Sequence, residues 1–159
     1  MGCCPGEFTI RISKILDIYN SNKLYNVYDT FTGLPDVSYE LKNNSYFHLK
    51  KNDFKCSVSK YANFLEDMNI HNMPSIHQTN FTHINSALYP SSISLAIFDS
   101  NIYDSILGSF NNIWNKLLPG GLIIINKYND KEFFGVTEAC HKFFTDFDIN
   151  NKTQYIYSI

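Results

Sequence analysis

Apolar residues recur along this chain in two patterns, one typical of helices and one typical of buried strands. Four segments repeat their apolar residues at helical spacing, which predicts helices that pack one face on a core. We expect these stripes to face the core rather than a cofactor. Their apolar positions are Phe8, Ile12, Ile15, Leu16 and Tyr19; Val58, Tyr61, Ala62, Leu65 and Met68; Ile106, Leu107, Phe110, Ile113, Trp114 and Leu117; and Val136, Ala139, Cys140, Phe143, Phe144 and Phe147.

Short apolar runs lie between these helical segments. Residues 93–98 and 122–125 are almost continuously apolar, as in strands that are covered on both faces of a parallel sheet. Residues 24–28, 75–79 and 154–158 are further predicted strands. Strands that alternate with helices indicate the α/β class, and we predict a doubly wound, mostly parallel sheet with right-handed crossovers.

The organisation of the chain is predicted from its breaks. No repeat or linker divides it, so we predict a single domain over residues 1–159. The Pro119-Gly120-Gly121 segment predicts the end of a helix and a tight turn, and residues 36–53 predict a polar loop. Because the chain opens on glycines that would follow a first strand, we expect an N-terminally truncated version of this fold.

Composition and charge exclude several function classes. The 159 residues are 44% hydrophobic and 16% aromatic, which indicates a packed globule. A net charge of −2 argues against nucleic-acid binding by bulk electrostatics. No stretch approaches the roughly 20 apolar residues of a membrane-spanning helix, so we expect no membrane association. The four cysteines lack zinc-site and CxxC spacing, which favours reduced thiols in a cytoplasmic protein.

The first residues allow one alternative. The segment Met1-Gly2-Cys3-Cys4 resembles the start of an acylated protein, with Gly2 as the myristoylation position. That pattern has Ser or Thr at the sixth position, where this chain has Gly6. Acylation therefore stays an alternative and not the main interpretation.

The predicted ligand crevice follows from the rule that parallel sheets bind ligands at the carboxyl ends of their strands. The segment from Gly2 to Gly6 reads as a glycine turn before a helix, whose first N–H groups can approach a ligand. Asp29 follows Gly6 by 29 − 6 = 23 residues, a spacing at which an acid commonly binds ribose hydroxyls. A turn-forming role for Asp29 is the alternative. The other predicted strand ends are Thr79-Asn80, Asp99 and Asn126-Lys127.

Four motifs carry a family resemblance that covers most of the chain. The first, YDTFTGLP, resembles the FDTFEGLP signature of the macrocin-type (TylF-like) O-methyltransferases, which are class I enzymes dependent on S-adenosylmethionine. The others resemble that family's LDxDLYEST, LSPGGxIIIDDY and GxxxAVDEF segments. In this chain the four motifs lie at Tyr28–Pro35, Phe98–Ser105, Leu118–Ile125 and Gly135–Phe144.

The resemblance implies roles by position. Gly2 and Gly6 would line the methionine end of S-adenosylmethionine, and Asp29 would hold its ribose. Asp99 matches the family's first metal-binding acid, which also helps to deprotonate the substrate hydroxyl. The cofactor-binding residues implied in this way are Gly2, Gly6, Asp29, Thr30, Phe31, Asn80 and Asp99.

Three positions depart from the family pattern. Asn101, Asn126 and Lys127 stand where the family has acids. Mg²⁺ prefers several hard oxygen ligands and is repelled by a neighbouring ammonium, so we predict no tight Mg²⁺ site; a weak one would use Asp99 and Asn126. We predict instead that Asp99 and Lys127 act in catalysis, with the ammonium polarising a substrate hydroxyl. A purely structural ion pair between them is the alternative.

Two functions remain open at this stage. The first is an S-adenosylmethionine-dependent O-methyltransferase that acts on a sugar or glycoside hydroxyl. The second is a degenerate, catalytically inactive domain that binds a cofactor or a partner. His83 is a further candidate base, with a solvated loop residue as its alternative. The expected partners are a small hydroxyl acceptor and a second copy of the chain in a homodimer, with no nucleic acid and no membrane.

Overall fold

The computed structural model describes residues 1–83, 86–146 and 155–158. Two short 3₁₀ turns at Ser86–Leu88 and Trp114–Lys116 accompany the helices and strands. In chain order the elements are α1 (Glu7–Ile18), β1 (Asn26–Asp29), α2 (Ser38–Asn43), α3 (Val58–Asp67), β2 (Ser75–Gln78), β3 (Ile93–Phe98), α4 (Tyr103–Ile113), β4 (Leu117–Ile125), α5 (Phe134–Asp146) and β5 (Tyr155–Ser158). Two predicted positions lie outside the described residues: Gln154 of the last predicted strand and Phe147 of the fourth apolar stripe.

The described strands pair in parallel, as predicted. β1 and β2 form one sheet, in which Val27 lies opposite Ile76. β3, β4 and β5 form a second sheet in that order. The α/β class and the parallel pairing are confirmed, whereas a single doubly wound sheet is not shown by these two sheets.

The chain divides into two compact units. The β1 unit comprises residues 2–35 and 50–80, and the β3 unit comprises Met1, residues 36–49 and residues 81–159. The single-domain assignment stays a prediction. No helix in the described ranges is both long enough and apolar enough to cross a membrane.

The core of the β3 unit is built from aromatic and aliphatic side chains of α4, α5 and the β strands. Phe110 stacks on Phe143 with ring centroids 4.5 Å apart and meets Phe98 edge to face at 4.9 Å. Ile106 and Val136 are completely buried beside these rings. The apolar stripes of α4 and α5 therefore face the core as predicted, except that Leu117, predicted as the end of the third stripe, lies in β4.

The stripe predicted for α1 is largely wrong. Ile15 and Tyr19 are 49% and 78% exposed, while the polar residues Thr9 and Ser13 are buried. Thr9 faces inward because its hydroxyl hydrogen-bonds the hydroxyl of Tyr61 at 2.6 Å. Thr9 therefore lies on the inner face of α1. The spacing of apolar residues does not predict this polar contact.

Two predicted connections also differ in the structure. The Pro119-Gly120-Gly121 segment lies inside β4 and not in a turn before it. Ile93 pairs with Leu117 and Leu95 with Leu122, so the intervening residues of β4 bulge out of the ladder. The predicted polar loop over residues 36–53 contains helix α2.

Glu40 of α2 is a buried carboxylate that completes the start of α4. Only 5% of the residue is exposed, and its Oε1 accepts the backbone N–H of Tyr103 at 2.8 Å. That N–H belongs to the first turn of α4 and has no partner within the helix. Burial raises the pKa of Glu40 above its ordinary value, and the negative charges of Asp104 and Asp36 raise it further. The hydrogen bond from Tyr103 opposes this shift.

We expect the Glu40→Gln variant to change the pH dependence of stability. Glutamine keeps an oxygen acceptor for Tyr103 and has no charge to bury. The raised pKa makes the folded wild type bind more protons than the unfolded chain. Its free energy of unfolding therefore falls as the pH rises above about 4, the ordinary pKa of a glutamate, and the variant lacks this loss. Urea denaturation at several pH values measures the difference.

Glu40→Ala is the matched control for this experiment, because it removes the acceptor as well as the charge. We expect it to be about 1 kcal/mol less stable than Glu40→Gln, which is the ordinary cost of losing a helix cap. Parallel pH profiles for the wild type and Glu40→Gln would contradict the assignment of a raised pKa.

Candidate functional site

The glycine turn at the start of the chain leads into α1 and hydrogen-bonds to β1. The backbone N–H of Gly2 donates to the carbonyl of Tyr28 in β1 at 3.0 Å. Gly2 and Gly6 both have positive φ, 72° and 115°, and α1 begins directly after Gly6. The first N–H groups of a helix have no intrahelical acceptor, so this turn carries a set of donors for an anionic group. The predicted glycine turn before a helix is present, and Gly2 lies outside the assigned strands.

Asp29, the last residue of β1, holds this turn through its carboxylate. Oδ2 accepts the N–H groups of Cys3 at 2.8 Å and Cys4 at 3.3 Å, and Oδ1 accepts that of Phe31 at 2.8 Å. An ionised carboxylate offers about four acceptor positions, and the Cys3 thiol interacts with Asp29 in addition to these three bonds. Asp29 therefore orders the turn, and its bond from Phe31 is the turn-forming contact expected as the alternative. Its role in ribose binding stays a prediction.

The other predicted cofactor residues of the β1 unit differ in exposure. Phe31 is 3% exposed and packs edge to face on Tyr61, with ring centroids 5.3 Å apart. Its side chain belongs to the apolar core, and only its N–H bonds Asp29. The Thr30 hydroxyl donates to the carbonyl of Gly33 at 3.3 Å, and Asn80 is exposed beyond the end of β2. The roles of these residues in cofactor binding stay predictions.

Gly33, in the same motif as Asp29, is required by a close backbone contact. Its φ is +86°, and a Cβ at this position would lie 2.5 Å from the carbonyl oxygen of Asn52. Next to it, Leu34 donates to the carbonyl of Asp53 and accepts from the N–H of Asn52, both at 2.9 Å. This two-way pairing holds the Asn52 carbonyl close to position 33, which explains why the motif contains a glycine. The sequence alone did not reveal this requirement.

Asp99 and Asn126 meet at the carboxyl ends of β3 and β4. The last residues of these strands, Phe98 and Ile125, are register partners, so the residues that follow them are neighbours. Asn126 donates its side-chain N–H to Oδ1 of Asp99 at 2.7 Å and its backbone N–H to the carbonyl of Phe98 at 2.9 Å. Asn126 therefore presents an N–H donor, and not an oxygen, to this atom of Asp99.

Lys127 follows this pair, and its side chain contacts an aromatic ring. Its Nζ lies 3.8 Å from the centroid of the Phe133 ring, a favourable cation–π geometry. Asn101, a second position where the family has an acid, is only 8% exposed, and His83 is exposed. The catalytic role of Lys127 stays a prediction.

In the part of the chain that the structure describes, no group of three or more His, Cys, Asp or Glu side chains is placed to hold a metal ion. Asp29 lies in the β1 unit and Asp99 in the β3 unit. The binding of one ligand by both carboxylates stays a prediction. The absence of a tight Mg²⁺ site also stays a prediction.

Comparison with known proteins gives a family match and two similar folds. The model of a family described as macrocin-O-methyltransferase (TylF) matches residues 2–158. The crystal structure of CalS11, a calicheamicin methyltransferase, is 16% identical with a TM-score of 0.70. The O-methyltransferase NovP is 18% identical with a TM-score of 0.74. At these identities the two structures show a shared fold.

The matches cover most of this chain but a smaller part of the solved ones. They include 89% of this chain for CalS11 and 91% for NovP, whereas this chain spans 61% of each solved chain. No curated protein sequence matches the chain significantly.

We expect Gly33→Ala to destabilise the protein through the close contact with Asn52. The loss in free energy of unfolding has two parts. A left-handed backbone at alanine accounts for about 1–2 kcal/mol, and overlap with the Asn52 carbonyl accounts for about 1–3 kcal/mol more. Gly120→Ala is the control, because Gly120 has a similar φ of +76° and a methyl group added there would meet no atom within 4 Å. Chemical denaturation measures both, and equal losses would exclude the steric part.

Proposed function

The chain belongs to the macrocin-O-methyltransferase (TylF) family, and from this membership we propose that it methylates a hydroxyl of a sugar or glycoside with S-adenosylmethionine as donor. The family match confirms the resemblance drawn from the motifs. The similar fold of a calicheamicin methyltransferase supports a natural-product acceptor. The observation that carries the proposal is the Asp29 carboxylate, which orders a glycine turn at the start of a helix.

The residues of the β1 unit fit the proposed cofactor chemically. S-adenosylmethionine supplies an electrophilic methyl group on a sulfonium and carries a carboxylate and two ribose hydroxyls. The N–H groups at the start of α1 suit the carboxylate of the cofactor, and the Asp29 carboxylate suits a ribose hydroxyl. We assign Gly2, Gly6 and Asp29 to this binding role.

Asp99 is the proposed base. Its Oδ2 would take the proton of the acceptor hydroxyl, while Asn126 keeps its hydrogen bond to Oδ1 and fixes the orientation of the carboxylate. The Asn126 side chain occupies a position that is acidic in the family. An amide donor there holds Asp99 without a second negative charge, which supports a reaction that needs no Mg²⁺.

A catalytically inactive binding domain is the second candidate. It is favoured by the replacement of family acids with Asn101, Asn126 and Lys127, and by the burial of Asn101. In that case the β1 unit would still bind the cofactor. A doubly wound sheet, a cytoplasmic location and a homodimer are further parts of the proposal.

Calorimetric titration with S-adenosylhomocysteine tests the cofactor site. We expect binding without Mg²⁺, no gain in affinity when Mg²⁺ is added, and at least about tenfold weaker binding for Asp29→Asn, whose amide offers one acceptor oxygen in place of two. Asp67→Asn, an exposed change at the end of α3 in the same unit, is the control and should bind like the wild type. Absence of binding to the folded wild type would overturn the proposed function.

Turnover with a panel of glycosides, followed as formation of S-adenosylhomocysteine, tests the base. At saturating cofactor we expect Asp99→Asn to lower the rate by at least about 100-fold, the usual contribution of a general base. Lys127→Met tests the ammonium separately. A loss of about 100-fold would support its catalytic role, and a loss below about threefold would assign Lys127 to its contact with Phe133 alone. Cofactor binding without turnover would favour the inactive domain.

A further inference from the structure

Two of the four cysteines lie together beside the glycine turn. Cys4 is in the turn itself, and Cys56 directly precedes the Ser57 cap of α3. Their side chains interact, although 52 residues, 56 − 4, separate them in the chain. Neighbouring residues hold the two backbones, because Cys4 donates its N–H to Asp29 and Cys56 donates its N–H to the carbonyl of Phe31 at 3.3 Å. Both pack on the same apolar cluster of the β1 unit, which contains Val27, Phe31 and Leu65. This pairing is not used by the proposed reaction.

The exposure of the four cysteines separates this pair from the other two. Cys3 and Cys140 are 7% and 1% exposed, and burial raises the pKa of each thiol to about 12. Cys4 and Cys56 are both partly exposed. An oxidant from solution therefore reaches the adjacent pair, whereas the buried thiols are protected and stay protonated.

We propose that Cys4 and Cys56 form a reversible disulfide when the protein meets a hydroperoxide, and that this bond weakens cofactor binding at the glycine turn. The second part rests on the proposed function. The first part concerns the two thiols alone.

The chemistry balances with a hydroperoxide as the named oxidant. The Cys56 thiolate attacks the distal peroxide oxygen, which gives a sulfenic acid and releases the alcohol, or water when the oxidant is hydrogen peroxide. The Cys4 sulfur then attacks the Cys56 sulfur, the S–S bond forms, and the hydroxyl leaves as water with the remaining proton. We assign the first attack to Cys56 because burial and the neighbouring thiol raise the pKa of Cys4 and make it a poor source of thiolate. A thiol reductant reverses the reaction.

The effect on the turn follows from the contacts of Cys4. A disulfide brings its two sulfurs to about 2.0 Å, closer than two thiols in contact, so at least one backbone segment must move. Cys4 lies between Gly2 and Gly6, and its 3.3 Å hydrogen bond to Asp29 is the longest of the three that this carboxylate accepts. We expect the movement to break this bond and to shift Asp29 from its position in the reduced protein.

Peptide mapping of the full chain after hydrogen peroxide treatment tests the disulfide. We expect the intact mass to fall by two hydrogen atoms, a crosslink between the Cys4 and Cys56 peptides, and recovery of the mass after reduction. Cys56→Ser should abolish the crosslink, and Cys140→Ser, which removes a buried thiol, should leave it unchanged. A crosslink to Cys3 or Cys140, or oxidation of single thiols to sulfinic acid without a crosslink, would overturn the proposal.

Titration of the reduced and oxidised proteins with S-adenosylhomocysteine tests the consequence. We expect at least about tenfold weaker binding after oxidation, the equivalent of about one lost hydrogen bond, and no change for Cys56→Ser treated in the same way. A crosslink with unchanged affinity would overturn the regulatory effect and leave the proposed function intact. If the reduced protein also fails to bind, the proposed function fails, while the mapped crosslink still decides the disulfide.

Discussion

The organisation of the β1 unit depends on one carboxylate that accepts three backbone hydrogen bonds. Asp29 ends its strand where Cys3, Cys4 and Phe31 all direct N–H groups at it. Hydrogen bonds to a charged acceptor are about twice as strong as neutral ones, so this one side chain fixes both the incoming turn and the outgoing motif. The same residue therefore orders the turn on which the proposed cofactor site depends.

The second carboxylate has a different setting, which explains how a family site can change its chemistry. Asp99 is paired with a neutral amide, and the lysine beside that amide contacts an aromatic ring. A cluster of acids requires a cation to offset the mutual repulsion of its charges. The Asn126 amide adds no negative charge beside Asp99, and its hydrogen bond orients the carboxylate.

The fold of the β3 unit could be predicted from sequence because its helices bury the apolar stripes that the pattern shows. The stripe of α1 failed because Thr9 faces inward to bond Tyr61, and polar contacts of this kind leave no periodic signal. Glu40 was missed because a polar residue within a polar segment gives no sign of burial. The position of Asp99 at a strand end could be predicted, because parallel sheets bind ligands at the carboxyl ends of their strands. The hydrogen bond from Asn126 to Asp99 and the contact of Cys4 with Cys56 could not, because they depend on tertiary packing.

The cap on α4 has a consequence for how this protein can evolve. A side chain at Gly135 would place its first carbon 3.3 Å from the Glu40 oxygen and 3.2 Å from the Tyr103 nitrogen, so the cap would have to shift by a few tenths of an ångström. Three positions that are distant in sequence thus share one small volume. We therefore expect a larger residue at position 135 to appear in descendants together with changes in the cap at position 40.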